Sequence, residues 1–189
     1  RVTLRRDGKK IEVEGRLVVT VADGGIVLLG RDGVMWNILP EEQVSRTHDD
    51  RPFEPLGNDA LVKRVLAELP KGFDVHRTAH YLIFYDTSRA YAQWCGGLFE
   101  RLYTAFRNYW SRKGFELQEP EFPLVAIIFA DKASYAKFSA TALGEAAETI
   151  PGYSNLATNQ MVMYDLTGTS VESRGGRANT LAQINQTLA

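Results

Sequence analysis

From Tyr91 to Trp110 the chain places a large apolar side chain at every third or fourth position: Tyr91, Trp94, Cys95, Leu98, Phe99, Leu102, Tyr103, Phe106 and Trp110. That period is helical, and a stripe of such bulk is satisfied only by burial against another apolar layer. Asp86, Thr87 and Ser88, just before it, carry the short oxygen-bearing side chains that cap helix N-termini. Upstream, His80-Tyr81-Leu82-Ile83-Phe84-Tyr85 is apolar on both faces of an extended chain, as expected of a strand lying between two layers. Gly96 and Gly97 interrupt the helix at a cost of about 1 kcal/mol each relative to alanine, which predicts close approach of another element, the sheet. Cys95 lies on the same stripe and reads as an inert packing thiol.

The same logic extends in both directions. Asn58 opens a helix whose Leu61, Val62, Val65, Leu66 and Leu69 share one face, and Pro70-Lys71-Gly72 ends it. Pro123-Leu124-Val125-Ala126-Ile127-Ile128-Phe129 is a second, nearly continuous apolar strand, and Asp131 caps a short helix through Phe138 to about Thr141. A loop around Pro151-Gly152-Tyr153 leads to a third strand, Gln160 to Asp165. After a polar turn over 166–176, a last helix begins near Arg177, with Leu181, Ile184 and Leu188 on one stripe. It reaches Ala189 without a glycine, asparagine or proline stop, and the chain opens on Arg1 rather than methionine, so the sequence reads as a piece of a longer chain. Strand, helix, strand, helix, strand and helix in this order give an α/β or α+β sandwich over 58–189.

Residues 1–47 differ in kind. Short β-prone runs alternate with Asp7-Gly8, Asp23-Gly24-Gly25 and Asp32-Gly33, and Asp-Gly supplies the positive φ angles of tight hairpins. Five strands at this spacing predict a small all-β meander or SH3-like barrel. Ser45 to Gly57, with Pro52 and Pro55, is polar and reads as the connection, with the linker proper over 48–57.

Composition removes several classes of function. A formal charge of −1 leaves no basic footprint for nucleic acid or an anionic membrane. No apolar run approaches the roughly 18–20 residues that span a bilayer. One cysteine cannot build a disulfide framework or a cysteine zinc site. His76 and His80 have the spacing of two helical zinc ligands, but they sit at the entry to a strand, where four residues span roughly 13 Å. His48 beside Asp49 and Asp50 reads as a solvated turn, and Asp131, Asp165 and Glu172 as capping or solvated carboxylates. No Gly-x-Ser-x-Gly, His-Glu-x-x-His or phosphate loop is present. The residues by themselves offer no catalytic set and no metal ligands.

A resemblance adds to this reading. His80-Tyr81-Leu82-Ile83-Phe84-Tyr85-Asp86-Thr87-Ser88, Tyr91-Ala92-Gln93-Trp94-Cys95-Gly96-Gly97-Leu98-Phe99-Glu100-Arg101-Leu102, and the later Gly152-Tyr153 and Met163-Tyr164-Asp165 resemble the planctomycete family known as domain of unknown function 1570. That family is read as metallopeptidases with a gluzincin-like core, and the resemblance covers 58–189. It implies an α+β, zincin-like mixed sheet with packed helices, preceded here by the SH3-like module. It also implies zinc as the cofactor of the full-length family member, a protein or peptide substrate, and an exported protein. The helix opening at Arg177 takes the place of the zinc helix, but both histidines, the glutamate base and the acidic third ligand are missing from this sequence. The chain alone is therefore expected to hold no cofactor and to be inactive. Met161, Val162, Met163, Tyr164 and Asp165, as the last strand before that helix, are the candidate edge that pairs with an extended substrate; the alternative is an ordinary core strand. A second reading of the whole is a non-catalytic binding or scaffold protein on a degenerate peptidase-like fold.

Overall fold

The computed structural model describes residues 1–167. The helix expected from Arg177, and Glu172 before it, lie outside the described residues. The described residues form two compact units, one of 1–68, 119–123 and 155–159, the other of 69–118, 124–154 and 160–167. The first helix and two short segments of the later sequence belong to the N-terminal unit.

In the N-terminal unit, β1 (Val2–Arg6), β2 (Lys9–Val13), β3 (Gly15–Thr20), β4 (Ile26–Gly30), β5 (Met35–Ile38) and β6 (Gln43–Arg46) are followed by α1 (Asn58–Glu68). Asp7 and Gly8, at φ of 51° and 74°, make the expected tight turn between β1 and β2. The strands form two antiparallel sheets, β2-β1-β6 and β3-β4-β5, rather than a closed barrel among the described residues. Val2, Leu4 and Val13 of the first and Ile26, Leu28 and Ile38 of the second share one core. β6 is a sixth strand where the sequence suggested the start of a polar connection. It is an edge strand with three exposed side chains, so it carries no hydrophobic alternation to read. Arg6 forks onto Glu42 at 2.6 and 2.7 Å, which ties β1 to the single helical turn that delivers β6. The Arg6 hydrogen bonds hold the Glu42 carboxyl down at about 2.

The second unit contains β7 (Asp74–Arg77), β8 (Tyr81–Tyr85), α2 (Arg89–Arg112), β9 (Leu124–Phe129), α3 (Lys132–Leu143), β10 (Gly152–Asn155) and β11 (Gln160–Tyr164). They form a five-stranded sheet in the order β10-β11-β9-β8-β7. β8, β9 and β11 are mutually parallel, and β7 runs antiparallel to β8. The fold class is thus α+β with a mixed sheet and packed helices. β7 and β10 are strands that hydrophobic periodicity does not reveal: Asp-Val-His-Arg and Gly-Tyr-Ser-Asn are short, polar and at the sheet edges.

Strand alternation sorts the three parallel strands into two faces. The rows Ile83–Ala126–Met161 and Tyr85–Ile128–Met163 face α2, where they meet Tyr91, Ala92, Cys95 and Phe99. The opposite row Phe84–Ile127–Val162 is buried too, and on that side α3 packs Tyr135 and Phe138 against Phe129 at ring-centroid distances of 6.4 and 5.1 Å. Ser88 and Asp131 cap the two helices by accepting the N–H groups of Tyr91 and Ser134 at 3.2 and 2.8 Å.

The apolar stripe of α2 is core over its first half only. Beyond Phe99, Leu102 and Phe106 are 56 and 57% exposed. The reason is length: 24 helical residues extend about 36 Å, whereas strands of five or six residues cover about 17–20 Å. The helix outruns the sheet it lies on.

Gly96 meets the expectation of close approach. A Cβ there would fall 3.0 Å from Thr78 Cγ2 and 3.1 Å from the His76 ring of β7, while at Gly97 the nearest atom is the mobile end of Arg101 at 3.7 Å. Gly97→Ala is therefore expected to raise stability by up to about 1 kcal/mol, and Gly96→Ala to yield none of that gain, with urea midpoints as the readout. Equal stabilisation by both would show that the β7 contact does not constrain the helix.

Candidate functional site

A group of chemistry-bearing side chains in the second unit converges where the β7–β8 turn meets α2. The turn is built locally: the Thr78 N–H donates to the Tyr81 carbonyl at 3.0 Å, and the Tyr81 N–H donates to the Thr78 hydroxyl at 3.1 Å. From α2, one turn beyond Gly96, Glu100 reaches this loop. Its carboxylate accepts the Thr78 hydroxyl at 2.6 Å, the His80 N–H at 2.8 Å, and contacts His80 Nδ1 at 2.7 Å. The next turn supplies Tyr103, whose ring stacks on the His80 imidazole with centroids 3.9 Å apart. Arg107, one turn further, lies 5.6 Å over the other partner of that stack and donates to the Leu117 and Gln118 carbonyls.

Burial alone would raise the Glu100 carboxyl, but the hydrogen bonds from Thr78 and His80 outweigh it and hold the group below the usual glutamate range. An ionised carboxylate only accepts, so Nδ1 of His80 carries the proton that points at it. The ring is thereby fixed in orientation, and Nε2 has no partner among the described residues. Such an imidazole can offer one lone pair to an ion, with its orientation set by the carboxylate behind it. It is a single functional group, however, and among the described residues no three His, Cys, Asp or Glu side chains converge as metal ligands.

His76 and His80 thus face successive turns of α2, the first beside Gly96 and the second on Glu100 and Tyr103. His48 pairs with Asp50 at 3.6 Å on the surface. Cys95 is buried, and that burial pushes its thiol up to about 12.

Met161 to Asp165 is corrected as a sheet edge. β11 is hydrogen-bonded on both sides, to β9 and to β10, so its backbone has no free row to offer an extended peptide. Met161 and Met163 pack toward α2, Val162 is buried, and Tyr164 lies against Tyr135 at 5.3 Å. Asp165 is buried and accepts the Thr87 hydroxyl at 2.6 Å and the Thr167 N–H at 2.9 Å, which locks the carboxyl ends of β8 and β11 together.

The sequence reading did not single out Glu100, which falls between the apolar positions Phe99 and Leu102. The signal was the helical spacing of Gly96, Glu100 and Arg107 with Tyr103, which itself belongs to the apolar stripe. The partners of Glu100 on the β7–β8 turn lie 20 and 22 residues away, beyond any local pattern.

Comparison of the chain with protein-family models, with curated proteins and with solved structures finds no match.

Glu100→Ala strands two donors and an imidazole, and an expected loss of about 2 kcal/mol follows at neutral pH. Because the folded carboxyl lies below its free value of 4.5, its stabilisation is complete above that value and fades as pH falls through it. Urea midpoints of wild type and variant should therefore converge in acid, and a gap that stays constant down to about pH 3 would rule out the ionised carboxylate as the source.

Proposed function

We propose that the second unit is the substrate-side part of a zincin-type metallopeptidase domain, with the zinc-binding side chains contributed by residues other than those described. The observation that carries this reading is the arrangement of the sheet. Three parallel strands are backed by one long helix on a single face, and a short edge strand, β10, directly precedes the last parallel strand. The resemblance of 80–102 to the gluzincin-like family supports it independently of that geometry.

The described residues do not fit a zinc site of their own. Three ligands never converge, and Nδ1 of His80 is committed to Glu100. No step of peptide hydrolysis is therefore assigned to them. Their part is to present backbone to a substrate, and the free row belongs to β10, whose outer side has no partner strand among the described residues. A four-residue link joins β10 to β11, which permits only antiparallel pairing of those two strands. An extended peptide laid along β10 would continue the sheet by main-chain hydrogen bonds.

The test is the chain expressed together with the residues that follow it in its gene, beside the chain alone. The longer protein is expected to hold one zinc per chain and to cleave casein, and the shorter to do neither. A peptidic inhibitor bound to the longer protein should lie along Gly152–Asn155. An extension with neither zinc nor hydrolysis would overturn the peptidase reading and leave the non-catalytic scaffold in its place.

A further inference from the structure

We propose that the N-terminal unit carries a binding cleft for a short acidic peptide segment. The cleft has a volume of about 730 Å³ and lies between the start of β3 and the 46–54 segment. That size takes a few residues of extended chain. Its lining holds five arginines and no lysine against three carboxylates, in a chain whose formal charge is −1. Arginine in place of lysine matters, because the planar guanidinium fork matches a carboxylate or phosphate through two parallel hydrogen bonds.

The internal pairings leave particular arginines for a ligand. Arg51 is neutralised by Asp49 at 2.6 Å and Glu14 at 3.6 Å. Arg16 forks onto Glu121 at 3.0 and 2.7 Å, and its guanidinium lies 4.7 Å over the Phe53 ring. Arg31 uses only Nε, on the backbone carbonyl of Glu54 at 2.7 Å, and meets no carboxylate. Arg46 makes no ion pair or side-chain hydrogen bond among the described residues. Arg31 and Arg46 are thus two guanidinium groups on one cleft with donors to spare, and the Arg16–Phe53 stack supplies a flat wall between charged contacts. Glu54 is the lining carboxylate without an ion pair among the described residues, and it must turn to solvent when an anion enters. The occupant that fits is a segment with at least two anionic side chains, whether glutamate and aspartate carboxylates or phosphoserine.

The proposal is tested with the full chain and fluorescein-labelled octapeptides carrying four glutamates, four phosphoserines, four glutamines or four lysines, followed by anisotropy. Saturable binding of the glutamate or phosphoserine peptide, weakened by added salt, is expected, with the glutamine peptide at least about tenfold weaker. Tighter binding of phosphoserine than glutamate would identify phosphate as the source of charge; equal binding would identify carboxylate. Arg46→Glu and Arg31→Gln should each lower affinity about tenfold, and Arg101→Gln in the other unit should not. Arg46→Glu should also gain affinity for the lysine peptide, a result that misfolding cannot imitate. Equal binding of glutamate and glutamine peptides, indifference to Arg46→Glu, or no saturable binding would overturn the proposal.

Discussion

Three adjacent parallel strands impose the condition that organises the second unit: both faces of such a sheet must be covered, because neither has polar side chains to spare. Rows such as Ile83–Ala126–Met161 and Phe84–Ile127–Val162 have no solvent-compatible side. α2 answers the first face and α3 the second, and the small Ala126 in the middle row lets α2 settle close. Capping by Ser88 and Asp131 then sets where each helix starts, immediately after the strand that it covers. The polar contacts follow from this placement. Glu100 finds the β7–β8 turn because α2 already lies across that part of the sheet, and Asp165 meets Thr87 because β8 and β11 end at the same level.

What was legible in the sequence is what burial writes into it. β8, β9 and β11 are apolar on both faces, and α1, the first half of α2 and α3 have a clear face or a clear cap, so their existence and order could be read directly. The edges could not. β6, β7 and β10 gain their stability from backbone pairing on one side, and their side chains look like those of loops. Periodicity also says nothing about how far a partner layer extends, which is why the far half of α2 reads as core while Leu102 and Phe106 are exposed. The SH3-like expectation rested on turn spacing, which reports the number of hairpins and not whether the outer strands meet; the described strands form two sheets around one small core.

The candidate site illustrates the same boundary between local and distant information. His80 was visible as a titratable residue at a strand entry, but its chemistry depends on Glu100, which holds one ring nitrogen and leaves the other without a partner among the described residues. Residue type alone offered His76 as its companion, whereas the fold gives each histidine a different turn of α2. Likewise the assignment of the substrate strand to Met161–Asp165 followed chain order, and chain order does not say which strand ends up outermost. The hairpin that adds β10 moves the free edge by one strand. The peptidase reading survives that move because it needs an unpaired backbone row, not those five side chains.

The thiol of Cys95 has a consequence of a different kind. It is the sole sulfur nucleophile of the chain, it is sealed beneath α2, and burial keeps it in its unreactive protonated form. Thiol-selective alkylating reagents therefore have nothing to attack until the helix lifts from the sheet. The molecule carries a built-in reporter of its own opening, and the rate at which it takes up such a label measures how often that layer breathes.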